Sequence, residues 1–249
     1  MTKRADRVIF GVSPPPSDHA AMSSTPAEVP IRVWDLPTRA FHWILAASIV
    51  GSIVSAKVGG NAMVLHFRLG YLALALLLFR VLWGLFGGRW SRFAGFVRGP
   101  ATVWRYLRGR HRPEEHLEVG HSPLAALSVL ALLAVIGLQV GSGLVADDEI
   151  ANVGPLNRYV SGALAAWMTG WHKSWGQWLL IALVALHLGA IAYHRFVRGR
   201  GLVVPMISGD KRLPPGVPAS LDGRPQRLLA LVLAALCVAV AAWIASLGS

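Results

Sequence analysis

Four histidines stand inside or at the ends of strongly apolar stretches: His42, His66, His172 and His187. Neutral imidazole is a common metal ligand and a good axial ligand for haem iron. His172 and His187 share one helix-length run, WHKSWGQWLLIALVALHLGAIAYH. At 1.5 Å per residue they are about 22 Å apart along the axis, a little less than a bilayer core. At 100° per residue they lie about 60° apart around it, so both can face one interior. Two histidines stacked on one span, each able to meet a partner from another span, are what two bis-histidine haems in a membrane bundle require.

The elements that must position them are membrane spans. The chain is 54% hydrophobic and 14% charged, where a soluble domain carries about 25% charge; its mean hydropathy is +0.51. Apolar stretches run over about 38–56, 64–87, 122–145, 173–194 and 227–247, each near the ~20 residues needed to cross a bilayer. Asp35 suits the cap of the first helix and Pro37 its first turn. The fifth stretch holds no histidine and no charge, so it reads as an addition to a four-span redox core.

The net charge of +12 is a topology signal and not a nucleic-acid surface. Seven arginines fall in 89–112, and Arg195, Arg198, Arg200, Lys211 and Arg212 cluster after span four. The 146–171 connection carries Asp147, Asp148 and Glu149 instead. The positive-inside rule puts both basic segments and the N-terminus in the cytoplasm, with 57–63, 146–171 and the C-terminus on the opposite side. The 89–120 segment, with Trp90, Phe93, Phe96, Trp104 and Tyr106 among its arginines, reads as an amphipathic stretch on the cytoplasmic leaflet. Residues 156–168 read as a short interfacial helix. The single cysteine, Cys237, excludes a disulfide within the chain, and no C-x-x-C-H is present for covalent haem. Residues 1–30 read as a disordered Pro-, Ser- and Ala-rich tail, with Met22 an alternative start.

Topology sorts the histidines by depth. His66 and His172 both begin spans on the non-cytoplasmic side. His42 begins span one on the cytoplasmic side and pairs with a histidine deep in span four. Depth leaves His187 and His194 both open for that position, because seven residues return a helix to nearly the same face; His194 sits 22 residues from His172, about 33 Å. Among the remaining polar residues, Arg80 lies in the cytoplasmic half of span two. It either meets an anion such as a haem propionate or snorkels to the interface. His121 opens span three, either beside the cytoplasmic haem or as a helix-start residue. Arg68 is placed to meet a propionate or a quinone oxygen at the outer face. His111 and His116 read as solvated, and Trp171 and Trp175 as interfacial belt residues. Gly51, Gly70, Gly137 and Gly141 are places where helices or a macrocycle edge can approach closely.

The ordered motifs WDLPTRAFHW, LHFRLGYLALALLLFRVLWGLFGGRWSRF, GHSPLAAL, GPL at 154–156, and a histidine helix followed by GLVVPMISGDK resemble the bacterial cytochrome b561 and nickel-hydrogenase cytochrome b family, over about residues 31–211. The resemblance implies a four-helix bundle in the bacterial inner membrane holding two non-covalent b-type haems. Motif by motif, it implies His42, His66, His172 and His187 as ligands, which selects His187 over His194. Lys173 stands where the family often has Glu. The implied function is electron transfer between the quinone pool (ubiquinone or menaquinone) and a partner such as a c-type cytochrome or a periplasmic oxidoreductase. A stand-alone quinone-linked activity, such as superoxide oxidation, is the alternative. A redox-silent anchor with hydrogen-bonding histidines is a further one. The expected architecture is an all-α membrane protein: a tail (1–30), a four-helix dihaem bundle (31–207), a linker (208–225) and an extra transmembrane helix (226–249).

Overall fold

Asp35 starts the first long helix as expected. Its Oδ1 accepts from the Thr38 backbone N–H at 2.8 Å, with Pro37 in the first turn. In the computed structural model, which describes residues 27–110 and 112–248, this helix, α1, runs Leu36–Val58 and follows a short strand, β1 (Val29–Arg32). The Met22 question and most of the tail lie outside the described residues, as does His111; the first described element begins at Val29.

Helix α2 (Ala62–Phe86) returns antiparallel to α1. Two short helices, α3 (Phe93–Phe96) and α4 (Pro100–Leu107), lead to α5 (Pro123–Val145), which is capped by Ser122. Helices α6 (Gly162–Gly170) and α7 (Gly176–Phe196) are joined through a π-helical turn at Trp171–Trp175. A short α8 (Val203–Ser208), strand β2 (Asp210–Leu213) and α9 (Arg224–Ser246) complete the chain. Among the described residues, five helices are long and apolar enough to cross a membrane: α1, α2, α5, the continuous 162–196 helix and α9.

Three local expectations change. Residues 162–170 are not a separate interfacial helix: Gly170 keeps right-handed helical torsions (φ −58°, ψ −44°), so the helix continues into span four. The 89–120 segment is not one surface helix. Trp90, Phe96, Leu117 and Val119 are buried, and α4 is half-buried along Thr102, Val103 and Tyr106. The expected linker is structured, because β2 pairs antiparallel with β1 in the register Val29↔Leu213 to Arg32↔Asp210.

That ribbon closes the basic end of the bundle. Arg32 pairs with Asp210 at 2.7 Å and Asp222 at 3.1 Å. Ser220 N–H donates to Arg32 O at 2.7 Å, and Trp90 Nε1–H to Pro218 O at 3.0 Å. Ile31, Val33, Trp34, Trp90, Val119 and Leu213 form a small apolar core there. The main core lies within the spans. Phe41, Phe79, Trp83, Ile136 and Leu180 pack with Cys237 and Ala241 of α9, and α9 lies chiefly against α2.

Candidate haem sites

The 162–196 helix carries both His172 and His187, and the π turn places His172. A π turn takes one extra residue into a turn. This moves the angle between the two histidines from about 60° to about −40°, still within one hemisphere. His172 faces His66 of α2 with ring centroids 5.9 Å apart and planes at 83°. His187 faces His42 of α1 at 6.5 Å and 51°. The four histidines therefore meet as two pairs, one toward each end of the bundle.

The residues fit a bis-imidazole iron site. A metal–imidazole bond is about 2 Å and a ring centroid lies roughly 1.1 Å beyond its nitrogen, so two axial imidazoles place their centroids about 6 Å apart. Among the described residues no group of three or more His, Cys, Asp or Glu could hold a metal by itself. Two imidazoles per site leave the other coordination positions to a macrocycle.

At the far end, remote from the basic segments, both rings are oriented by backbone. His66 Nδ1–H donates to Ser52 O at 2.9 Å, and His172 Nδ1–H to Gln139 O at 2.8 Å. A carbonyl can only accept, so each bond fixes the Nδ1–H tautomer and leaves Nε2 as the free electron pair. Gln139 acts twice, since its side-chain Nε2–H donates to the His172 carbonyl at 2.8 Å. Ser142 Oγ lies 3.3 Å from the same ring nitrogen. Gly143 makes room, because a Cβ there would sit 2.8 Å from His172 Cε1. Ser52, Gln139, Ser142 and Gly143 were missed in the sequence. All four are small or polar residues in apolar helices, the one signal that could have pointed to them.

The basic end is built differently. His42 Nδ1 is buried without a hydrogen-bond partner. Arg80 does not snorkel: it is 2% exposed, and its Nη1 has no partner. Its guanidinium lies 4.8 Å from the Phe93 ring centroid and 5.9 Å from that of Phe96, a cation–π setting. Phe93 reaches this position because Gly84 of α2 has no side chain; a Cβ at Gly84 would overlap its ring. His121 is wedged between Trp34 and Phe96, each 4.7 Å away, with Nδ1 unpartnered. Burial first, then the charge of Arg80 and the neighbouring His187 and His42, push its pKa down to about 3. It is a half-buried neutral residue, its Nδ1 sealed from solvent, in the neighbourhood of the basic-end pair.

The carboxylate whose charge acts on Arg80 is Asp35, which is fully buried and already engaged. Besides Thr38 N–H it accepts from Trp83 Nε1–H at 3.0 Å and Ser91 Oγ–H at 2.6 Å. Its part in this network, beyond capping α1, was not visible in the sequence.

The other expected residues fall outside the pairs. Arg68 is exposed. His194 has a buried, unpartnered Nδ1 and is in ring contact with Tyr193. His116 is not solvated: it is half-buried near Trp90 and lines, with His121 and Phe96, a cavity of about 10 Å³, close to the space of one water. Trp175 is 77% exposed, as a belt residue should be, whereas Trp171 Nε1 is buried. Gly51 is a helix contact, where a Cβ would meet Leu69 at 2.7 Å. Gly137 and Gly141 line an apolar groove of about 250 Å³ between α2 and α5, and Gly70 faces open space.

The family described as prokaryotic cytochrome b561 matches residues 33–209. Among curated proteins, the chain is similar to a probable Ni/Fe-hydrogenase B-type cytochrome subunit of Bradyrhizobium diazoefficiens, 22% identical over 73% of this chain and 86% of that one. It is similar to the corresponding hydrogenase 1 subunit of Escherichia coli K12, at 24% over 71% and 88%. A third relative, from Azotobacter chroococcum, is 25% identical over 72% and 87%. No solved structure matches the chain significantly. The matched segment contains all four paired histidines and the three membrane-spanning helices that carry them, and the chain belongs to the prokaryotic cytochrome b561 family of multi-pass b-type membrane cytochromes.

Proposed function

We propose that the chain is a dihaem cytochrome b that relays electrons across the bacterial inner membrane, with His42 and His187 holding one haem and His66 and His172 the other. The observation that carries this reading is the pair of imidazole–imidazole separations, 6.5 and 5.9 Å. When bound, haem iron supplies a one-electron couple at each end of the bundle. The chain's own residues do the rest. Ser52 and Gln139 orient the far-end rings. Arg80, buried and lacking an anion, offers its Nη1 to a propionate carboxylate. His121 fills the space beside it as a neutral side chain. Arg68 stands exposed at the far end for a propionate or a quinone oxygen.

The basic end, by charge, is cytoplasmic, which puts the C-terminus in the periplasm. One terminus of the relay is the quinone pool. The names of the curated relatives favour a hydrogenase-type oxidoreductase at the other, with a c-type cytochrome the remaining choice. A pyridine haemochrome assay on purified protein tests the core of this reading. Two haems per chain are expected, and His66→Ala and His172→Ala must each remove the same one. One haem per chain, or loss of different haems in the two variants, refutes the pairing. Reporter fusions at residue 249 test the orientation.

A further inference from the structure

The short helix α4 has three faces. At 100° per residue, Thr102, Tyr106 and Val103 fall in one sector, Leu107 and Trp104 in the next, and Arg108 and Arg105 in a third. The first sector is half-buried and anchored. Tyr106 Oη–H donates to Glu118 Oε1 at 3.1 Å, and the same hydroxyl meets Ser122, the N-cap of α5. Glu118 is in turn paired with Arg200 at 2.5 Å. Helix α4 therefore lies at the level where α5, one of the long apolar helices, begins. The second sector is apolar and open: Trp104 is 55% exposed and Leu107 54%. The third is cationic. Arg105 has a carboxylate of its own, Glu115 at 2.9 Å. Arg108 lies over the Trp104 ring at 4.3 Å. Gly109 is left-handed (φ +66°), so the chain folds back: Gly109 N–H donates to Tyr106 O at 3.0 Å and Arg110 N–H to Arg105 O at 2.9 Å. This Schellman-type stop returns Arg110 to the end of the helix. Among the described residues neither Arg108 nor Arg110 has a carboxylate partner.

Two open apolar side chains beside two uncompensated guanidinium groups, at the depth of a span's first turn, match a surface that is apolar below and anionic above. The headgroup layer of an acidic phospholipid bilayer is such a surface, and a tryptophan ring suits its boundary. Nucleic acid or an acidic protein would satisfy the arginines but leave Leu107 in water. We infer that α4 is a docking surface for anionic phospholipid, with Arg108 and Arg110 taking the phosphate and Trp104 and Leu107 entering the boundary between headgroups and acyl chains. Tyr106 and Glu118 hold the helix in place for this from behind. The docking requires neither a haem count nor a choice of membrane face for the basic end. Each cation near an anionic surface is worth about a fivefold preference, so two give roughly 25-fold over a zwitterionic lipid.

Photo-crosslinking of the holoprotein in phosphatidylcholine nanodiscs tests this. Phosphatidylglycerol or phosphatidylcholine with a diazirine near the headgroup is added at the same low mole fraction and low salt, and adducts are mapped by mass spectrometry. On residues 100–107 phosphatidylglycerol should give roughly 25-fold more adduct than phosphatidylcholine. On Leu231, Val232, Leu236 and Val238, exposed along α9, the two lipids should label alike. The double variant Arg108→Gln/Arg110→Gln should bring the ratio on α4 down to that on α9, with the b-type visible bands unchanged. Arg110→Gln alone, which keeps the Trp104–Arg108 stack, should lower it about fivefold and carries the comparison if the double variant does not fold. Arg158→Gln, which removes an exposed cation of the 146–171 connection, should leave it unaltered. No adduct on 100–107 with either lipid removes α4 from the bilayer surface. A ratio there equal to that on α9 overturns the preference for anionic lipid. A ratio unmoved by the arginine variants, or lowered as much by Arg158→Gln, overturns the assignment to Arg108 and Arg110.

Discussion

Replacing Gln139 by Leu separates the orientation of His172 from its identity. The side chain of Gln139 donates to the His172 carbonyl at 2.8 Å, inside a π turn whose bonding differs from that of the flanking helix. Leu fills nearly the same volume, so no cavity forms. It also removes Gln139 Oε1, which is buried without a partner, and this offsets part of the cost to the fold. What is lost is the partner of a half-buried carbonyl, at about 1–3 kcal/mol. That cost falls on the conformation that presents the imidazole. At 1.4 kcal/mol per decade, the far-end site should bind its haem roughly 5- to 150-fold more weakly, in line with outer-shell substitutions at other metal sites. The assay is transfer of haem to an excess of apomyoglobin, with the two sites resolved by their rates. The far-end haem should leave faster by that factor, while the basic-end haem leaves at the unaltered rate. Equal rates at both ends, or a change confined to the basic end, would refute the argument. Gly143→Ala tests the same ring sterically: its Cβ would lie 2.8 Å from His172 Cε1, closer than ordinary van der Waals contact, so the far-end haem should again be the one lost.

Gly84→Val should drive the Phe93 ring off α2 and uncover Arg80, seen as new access of the 93–96 segment to hydrogen exchange and a lower haem content at the basic end. Asp35→Ala removes the acceptor for Thr38 N–H, Trp83 and Ser91 together, and should cost at least about 3 kcal/mol; a melting temperature within a degree or two of the unaltered protein would contradict this. His121 titrates near 6.5 when unfolded and near 3 when folded. Between those pH values the unfolded chain binds the extra proton, so stability falls as pH drops through this window, by up to about 1.4 kcal/mol per pH unit. His121→Phe should flatten the dependence of melting temperature on pH between 6.5 and 4; an unchanged slope would place the sensitivity elsewhere.

The features readable in the sequence were those written in residue types at fixed spacing. The spans, the Asp35 cap and the stacking of His172 with His187 depend on local periodicity, and the structure has all of them. The tautomer locks on His66 and His172 were invisible because their acceptors are the carbonyls of Ser52 and Gln139, and every residue carries a carbonyl. The π turn was hidden for a related reason: the partner of its His172 carbonyl lies 33 residues away in another helix. The choice left open for Arg80 was decided by Phe93 and a bare backbone at Gly84, a tertiary fit with no periodic signature. The ribbon of β1 with β2 joins segments too short and too polar to read as strands. Its outer registers pair residues 29 with 213 and 32 with 210.

That ribbon also orders events during synthesis. Val29–Arg32 emerge first, yet their hydrogen-bonding partners are made about 180 residues later, after every helix that carries a paired histidine. Contacts of such long sequence separation form late. While translation proceeds, the basic end of the bundle lacks this ribbon. It is clasped only when the last connecting segment lays Leu213 beside Val29. The same clasp that stabilises the finished bundle therefore forms only after all four paired histidines have been made.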